Sequence, residues 1–428
     1  MKTISRLYSE KSLLVLLMVF ITFLFQACNP NEDTGENLVA GDIADDGFDE
    51  IDIYVINENT LYGLRDNNRP SDNGNGKIEP FLISQIPGYA TSSSPTLNDP
   101  GKSSRYGEGN YTNTSLLVAS TNGILYNYDI PGGTILWQTE LGGTSSATPS
   151  NFLISESEGF GICVGTNNGQ LHFINNSTGE ILSTYTNPSG LGFDSKIWSN
   201  YFVDRVIAGS GDGHVYYFRG NGDLITDYDT GDLILAGPII ARQSGPELED
   251  EVIVGNRNGS LLKLSMDGEL IWNTQLSGAI YATPSIKYSN VIQKKILVTT
   301  TNGLVYQIDA STGNVDWEFQ AEGLVYSSAE ISPYSNSLYF TSTDGNVYAL
   351  NESGILQWKT DLGDGALYAT PNLATIREDQ LYVNTINGVY GLNANTGEIF
   401  SNFTVTHSPN ADVSGNFKSS PAVFAFFK

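Results

Sequence analysis

A hairpin-forming pattern recurs eight times along this chain of 428 residues and constrains its fold more than any other feature. Each copy is an apolar strand, a turn containing Asn, Asp or Gly, and a second strand with an aromatic residue near its middle. The turn residues are Asn59, Gly123, Gly169, Gly213, Gly259, Gly303, Gly345 and Gly388. After a first interval of 64 residues, the turns follow one another every 42 to 46 residues. Asn-Gly and Asp-Gly turns supply the positive φ of tight hairpins. A repeat of this length that contains strands but no helix predicts a β-propeller.

Between the hairpins lies a second recurring segment, rich in Ser, Thr and Ala, such as GTSSATPSNF and GAIYATPSI, with a degenerate copy around Trp198. Small side chains suit the narrow axis of a ring, so we expect this strand to be innermost. The repeats begin with a second strand, IDIYVI, and end with a first strand, SSPAVF. The last strand can therefore complete the first blade and remove exposed edges. We predict an all-β fold over residues 42–428: one eight-bladed β-propeller of four-stranded antiparallel blades, closed by pairing of the N- and C-terminal strands.

A third segment joins a turn glycine to a tryptophan four residues later, and its fullest form is DASTGNVDW at 309–317. The tryptophans are Trp137, Trp272, Trp317 and Trp358. The segment resembles the tryptophan-docking motif of PQQ-repeat propellers, and the resemblance covers nearly all of residues 50–428. It implies that each Trp wedges between neighbouring blades. Ser183, Thr226 and Ser401 occupy the equivalent places in three other repeats.

The family of PQQ-repeat propellers contains quinoprotein dehydrogenases and non-catalytic proteins such as the outer-membrane assembly lipoprotein BamB. Its enzymes hold the quinone PQQ against a vicinal disulfide, near a Ca²⁺ ion and an Asp base. Here Cys163 is the only cysteine besides Cys28, so a vicinal disulfide cannot form, and the chain has no CxxCH haem motif. The resemblance therefore implies a protein-binding scaffold that is not an enzyme and holds no PQQ. The alternatives are a PQQ-dependent dehydrogenase with a divergent site and a surface glycan-binding lipoprotein, since fold alone does not determine function.

The first 27 residues are predicted to be a lipoprotein signal peptide. A basic start is followed by an apolar run over residues 13–25, which is shorter than the roughly 20 residues of a membrane-spanning helix. Cys28 follows a small residue at the end of this run and is the predicted lipidation site, and residues 28–41 are a predicted flexible acidic tether. The alternative is an ordinary cleaved signal with an incidental cysteine. The anchor predicts attachment to the bacterial outer membrane, on its periplasmic or cell-surface face, with an unidentified envelope or outer-membrane protein as partner.

Net charge excludes one class of partner. The chain has 21 Lys and Arg residues against 47 Asp and Glu residues, a formal net charge of −26. Phosphate backbones are bound by basic stripes, so nucleic acid is excluded as a partner. With two Cys and three His residues, a Cys/His zinc cluster is excluded as well.

Residues 42–51, DIADDGFDEI, resemble the Ca²⁺ loop of FG-GAP-type propeller repeats. Asp42, Asp46 and Glu50 fall at three expected ligand positions, but Ala44 stands where a ligand oxygen is expected. Ca²⁺ takes six to eight oxygen ligands. Ca²⁺ is therefore the one cofactor for which the sequence offers a site, and a solvated acidic turn is the alternative that the sequence favours.

Two insertions, at 66–79 and 98–114, lengthen the first repeat. The first has the spacing of a cation-binding loop but lacks a closing acidic residue, so we expect a surface loop. His172 and His214 lie in different repeats without a nucleophile motif and are expected to be packing or edge residues. Cys163 lies in an apolar strand and is expected to be a small buried hydrophobic residue.

Overall fold

A computed structural model describes residues 50–57, 59–66, 76–87, 94–98, 115–130, 132–155, 159–199, 204–241, 250–288, 294–333, 335–374, 380–404 and 422–426. The secondary structure in these ranges consists of 33 strands and contains no helix. The strands form eight sheets arranged as the blades of a ring. The predicted eight-bladed, all-β propeller is confirmed. Over the described ranges no helix has the length and apolarity to cross a membrane.

Each blade is an antiparallel sheet whose strands follow one another from the inner to the outer edge. The first blade contains β33 (Ala422–Phe426), β1 (Glu50–Asn57), β2 (Thr60–Asp66) and β4 (Glu79–Gln85). The second contains β5 (Thr96–Asn98), β6 (Ser115–Ala119), β7 (Ile124–Asp129) and β8 (Ile135–Glu140). The third contains β9 (Ser150–Ser155), β10 (Gly159–Gly165), β11 (Gln170–Asn175) and β12 (Ile181–Thr186). The fourth contains β13 (Trp198–Ser199), β14 (Val206–Gly209), β15 (His214–Phe218) and β16 (Leu224–Asp229).

The remaining four blades repeat this arrangement. The fifth contains β17 (Ile239–Ala241), β18 (Glu251–Gly255), β19 (Ser260–Ser265) and β20 (Leu270–Gln275). The sixth contains β21 (Ser285–Tyr288), β22 (Lys294–Thr299), β23 (Leu304–Asp309) and β24 (Val315–Gln320). The seventh contains β25 (Glu330–Ile331), β26 (Leu338–Thr341), β27 (Asn346–Leu350) and β28 (Leu356–Asp361). The eighth contains β29 (Asn372–Leu373), β30 (Gln380–Asn384), β31 (Gly388–Asn393) and β32 (Ile399–Thr404).

The two ends of the chain close the ring within the first blade. Strand β33 pairs antiparallel with β1, and Ile51 lies opposite Ala425 while Ile53 lies opposite Val423. The backbone hydrogen bonds of this pairing remove the inner edge that β1 would otherwise expose. The predicted closure by the terminal strands is confirmed.

The Ser/Thr/Ala-rich segments are innermost, as predicted. Inner strands of neighbouring blades contact one another, as β9 does with β13 and β21 with β25. Hydroxyl groups join neighbouring blades here: Thr299 Oγ1 donates to the Ser327 carbonyl at 2.6 Å, and Thr341 Oγ1 donates to the Ala369 carbonyl at 2.7 Å. Trp198 lies in the short inner strand β13 opposite Ile207, so the degenerate copy keeps its place. Small polar side chains are favoured because they satisfy backbone carbonyls where there is little room.

The apolar core lies between the faces of neighbouring blades. One cluster, for example, joins Ile253 and Leu261 of the fifth blade to Ile296 and Val298 of the sixth, all essentially inaccessible to solvent. Burial between each pair of faces holds the ring together and orients the inner strands toward the axis.

The eighth blade carries a fifth strand that the sequence did not predict. Strand β3 (Gly76–Lys77) comes from the insertion at 66–79 and pairs in parallel with β32. The Ile78 N–H donates to the Asn402 carbonyl at 2.9 Å, and the Ile78 side chain is buried between the first and last blades. This part of the insertion is therefore an added edge strand, whereas a surface loop was expected.

Candidate functional site

One ring of side chains surrounds one end of the central axis. Each member lies four residues before the start of the inner strand of its blade. The described members, which we call the mouth ring, are Ser146, Asp194, Leu235, Tyr281, Tyr326 and Tyr368. The corresponding positions of the other two blades, Ser92 and Lys418, lie outside the described residues.

Backbone hydrogen bonds fix the mouth ring in place. In five blades the hairpin turn donates an N–H to the carbonyl two residues before the ring member. The pairs are Asn167 to Thr144, Gly211 to Gly192, Arg257 to Leu233, Thr301 to Ala279, and Thr343 to Leu324, at 2.8–3.0 Å. The Asn-Gly and Asp-Gly turns and the segments that enter the inner strands therefore lie on the same face of the propeller. The ring is held by rigid elements, which is what a preorganised binding site requires.

Three tyrosines of consecutive blades form an aromatic arc within the mouth ring. The ring centroids of Tyr281 and Tyr326 are 6.0 Å apart in an edge-to-face arrangement, and those of Tyr326 and Tyr368 are 5.6 Å apart. Tyr368 remains 37% exposed, and the neighbouring Leu324 is 43% exposed. Aromatic pairs at these separations stabilise one another while leaving ring faces open to a ligand.

A carboxylate lies on the other side of the mouth ring. Asp194 accepts a hydrogen bond from Ser146 Oγ at 3.2 Å. Burial raises the pKa of Asp194, and the hydrogen bond from Ser146 opposes that rise only in part. A partly desolvated carboxylate is a stronger hydrogen-bond acceptor for a cationic or N–H donor than a fully hydrated one.

A second carboxylate, Asp212, is held by a polar network in the turn of the fourth blade. Its Oδ2 accepts hydrogen bonds from the Tyr216 hydroxyl and from Asn187 Nδ2, both at 2.7 Å. Burial alone would raise the pKa of Asp212, but the hydrogen bonds from Tyr216, Asn187, His214 and Ser210 lower it overall. Asp212 therefore carries its negative charge on the same face as the mouth ring.

Arg257 supplies a positive charge beside the arc, and its guanidinium pairs with Asp232 at 2.8 Å. The pKa of Asp232 is lowered mainly by this hydrogen bond. Both side chains belong to the fifth blade, whose mouth-ring member is Leu235. This face of the propeller therefore carries aromatic surface, a hydrogen-bond acceptor at Asp194 and an ion pair.

Comparison with known proteins places the chain in a family. Residues 96–247 and 289–423, more than half of the chain, match the family model described as outer membrane protein assembly factor BamB. The chain belongs to the BamB family. The crystal structure of BamB from Moraxella catarrhalis is similar, with a TM-score of 0.54 and 19% sequence identity over 69% of this chain and 86% of that one. At that identity the similarity to the solved BamB concerns the fold alone.

Two curated relatives match shorter stretches. An uncharacterized protein of Rickettsia conorii is 28% identical over 126 residues, which are 27% of this chain and 30% of that protein. A polyvinylalcohol dehydrogenase of a Sphingopyxis species is 30% identical over 107 residues, which are 23% of this chain and 16% of that protein. The chain therefore spans less than a third of the length of each of these relatives.

Several residues singled out in the sequence lie apart from the mouth ring. Cys28, Asp42 and Asp46 lie outside the described residues, so lipidation and Ca²⁺ binding stay predictions. Glu50 begins strand β1, opposite Phe426. Among the residues that the structure describes, no three His, Cys, Asp or Glu side chains converge as a metal site. Cys163 is fully buried, and burial raises the pKa of its thiol.

Four of the five tryptophans of this BamB-family chain lie in the outer strands, against the next blade. Their indole N–H groups donate to carbonyls in the following blade. The pairs are Trp137 to Asn176 at 3.0 Å, Trp272 to Ala310 at 3.2 Å, Trp317 to Glu352 at 3.1 Å, and Trp358 to Ala394 at 3.0 Å. A threonine two residues after Trp137, Trp272 and Trp358 also donates to the glycine carbonyl of that turn.

Sequence reasoning missed the mouth ring, although its signal was present. The segments GAIYATP, GLVYSSAE and GALYATP each carry a tyrosine at the same position, and aligning them would have shown a shared radial location. The pairing of Asp194 with Ser146 had no such signal, because it joins segments of two blades that share no pattern at that position.

Proposed function

We propose that this BamB-family chain is a non-catalytic propeller, anchored to the bacterial outer membrane through Cys28, that serves as a binding scaffold for an outer-membrane assembly protein. Membership in the family carries the proposal. The matched residues 96–247 and 289–423 include Asp194 and two of the three arc tyrosines. The residues of the mouth ring would then form the contact surface for the partner.

The geometry supports a protein partner on this face. The mouth ring is fixed by backbone hydrogen bonds, and its tyrosines present large amphipathic surfaces that lose little entropy on binding. Asp194 and Asp212 add acceptors for N–H groups. The half-exposed Arg257, paired with the largely covered Asp232, suits the polar border of such a contact surface.

The test is chemical cross-linking in the native envelope followed by affinity purification of the full chain. Tyr326→Ala should abolish recovery of the cross-linked partner. Ile355→Ala is the matched control, because Ile355 is 60% exposed in the same blade but lies in the turn before the outer strand β28. Equal recovery with both variants would remove the mouth ring from the interface. Failure of the wild-type chain to recover any envelope protein would contradict the scaffold role.

Glycan binding is the second candidate, and the aromatic arc is the observation that favours it. Tyrosine faces pack against the C–H faces of sugar rings while their hydroxyl groups hydrogen-bond. Titration calorimetry with envelope oligosaccharides tests this role. Saturable binding that Tyr326→Ala abolishes would move the proposal from a protein partner to a glycan.

A dehydrogenase role is favoured only by the local similarity to a polyvinylalcohol dehydrogenase. Reconstitution with PQQ and Ca²⁺ tests it. Quinone absorbance that stays with the protein, together with alcohol oxidation, would contradict the non-catalytic proposal.

A further inference from the structure

The outer edges of the blades differ in how they are protected. The outer strand of a four-stranded blade has one unpaired side, which is a template for another strand. Proteins protect such edges with charge or proline. Strand β4 carries Glu79 and Pro80, and β8 ends in Glu140. Strands β16, β24 and β28 each contain two charged residues.

Three outer strands carry neither charge nor proline. They are β12 (ILSTYT), β20 (LIWNTQ) and β32 (IFSNFT). One of the three, β32, is already paired, because β3 lies along it in parallel with Gly76 opposite Ser401 and Lys77 opposite Asn402. The fold therefore shows in its own eighth blade that an edge of this composition accepts a further strand.

The other two edges expose apolar surface beside the open backbone. In β12 Leu182 is 47% exposed, and in β20 Ile271 is 46% exposed. The acidic strand β16 lies between these two blades and contributes Asp227 and Asp229. Its charge disfavours acidic segments and favours basic ones.

From these contacts we propose that β12 and β20 are docking edges that bind an extended segment of a partner protein by strand addition. The segment is apolar at alternate positions and neutral or basic in charge, as β3 with its Lys77 is. Main-chain hydrogen bonds would supply affinity, and Leu182 and Ile271 would select the apolar side chains. The inference names a mode of partner binding and rests on the proposed scaffold role.

The geometry identifies which N–H groups would pair. Leu276, directly after β20, donates its N–H to the carbonyl of Gly259, the turn residue directly before the neighbouring strand β19. N–H directions alternate along an antiparallel strand. The N–H of Asn273 therefore points to the open edge of β20. By the same alternation from Asn187, which donates to Gly169, the N–H of Thr186 points to the open edge of β12.

A labelled synthetic peptide of alternating Val and Thr with a terminal Lys is the probe, with fluorescence anisotropy as the measurement. We expect saturable binding that the double variant Thr186→Pro/Asn273→Pro weakens by about tenfold or more, since proline removes the outward donors. Glu318→Pro is the matched control, because Glu318 follows Trp317 as Asn273 follows Trp272 but lies on the charged edge β24. It should leave the affinity unchanged.

Hydrogen exchange supplies a second readout that does not depend on the proline variants folding. Peptide binding should slow exchange at Asn273 and Thr186 and leave the amides of β24 unchanged. A backbone-preserving variant, Leu182→Lys/Ile271→Lys, should also weaken binding. Equal effects of the Asn273 and Glu318 variants, or equal protection of all outer edges, would overturn the proposal.

Further outcomes distinguish strand addition by a partner from dimer formation and from binding at the mouth ring. Dimers in sedimentation experiments that the double proline variant dissociates would assign the edges to a second copy of the chain and overturn the partner segment. Loss of peptide binding in Tyr326→Ala would place the peptide at the mouth ring. If the peptide fails to bind while the wild-type chain still recovers its envelope partner, the docking edges are wrong and the scaffold role stands.

Discussion

The indole of Trp317 lies against Gly354 of the next blade and donates its N–H to the nearby Glu352 carbonyl at 3.1 Å. A Cβ atom placed on Gly354 would come within 2.6 Å of Trp317 Cδ2. The same approach occurs between Trp272 and Gly313, and between Trp358 and Gly397. Glycine in these turns is therefore required by the tryptophan as well as by the positive φ.

This contact predicts that Gly354→Ala destabilises the protein far more than Gly363→Ala. The two glycines have φ of +76° and +73°, but a Cβ on Gly363 would meet no atom within 4 Å. Gly363→Ala should cost only the conformational strain, about 1–2 kcal/mol. Gly354→Ala must also displace Trp317, so its total should reach about 3 kcal/mol or more. Urea unfolding of both variants gives the comparison, and equal losses would show that Trp317 does not hold the blades together.

The repeat predicted the fold well because it is local. Turn glycines, alternating strands and the spacing of Trp from Gly all lie within one blade, and a period repeated eight times specifies the ring. Strand β3 and the partners of Asp66 could not be predicted, because they join residues more than 300 positions apart in sequence. The mouth ring could be predicted only in part. Its tyrosines repeat in the sequence, but their contacts depend on how closely the inner strands converge.

The joint between the last and first blades predicts a strong effect of Asp66→Ala. Asp66 is fully buried, and its Oδ2 accepts hydrogen bonds from the Tyr382 hydroxyl at 3.0 Å and from Ser401 Oγ at 2.5 Å. Alanine leaves both donors without this acceptor, so we expect a loss of about 2–3 kcal/mol in the free energy of unfolding. Asp66→Asn keeps an acceptor oxygen and should lose less. Chemical denaturation measures both, and a neutral Asp66→Ala would mean that the joint depends on apolar contacts alone.

Buried His172 predicts a loss of stability in mild acid. Its Nε2 lies 2.8 Å from the Leu141 carbonyl, which can only accept, so Nε2 carries the proton and Nδ1 accepts from Thr184. Burial lowers the pKa of His172 below its ordinary value, although the Leu141 hydrogen bond opposes this. The unfolded chain therefore takes up a proton near pH 6.5 that the folded chain does not, and the free energy of unfolding falls as the pH decreases through that value. His172→Gln should flatten this dependence between about pH 7.5 and pH 5.5, whereas His214→Gln should retain the His172 contribution.

Lipid attachment predicts a change of compartment for Cys28→Ser. Serine cannot form the thioether, and the predicted tether has no other strong membrane affinity. The variant should appear in the soluble fraction after a high-salt wash, as followed by immunoblotting. Retention of Cys28→Ser in the membrane fraction would contradict the anchor.

Removal of residues 417–428 should abolish cooperative folding. The deletion removes β33 and leaves β1 with an unpaired inner edge in the blade that closes the ring. Aggregation or loss of the calorimetric transition is the expected result. An unchanged thermal transition would show that the ring holds without its terminal pairing.

Closure through β33 also sets an order of events during synthesis. Strand β1 is made early, and its partner follows only after about 365 further residues. At about 5–20 residues per second the ribosome needs roughly 20–70 s for that interval. Through all that time the first blade lacks its innermost strand, so the nascent chain carries an unpaired backbone edge on β1 until the last residues are made.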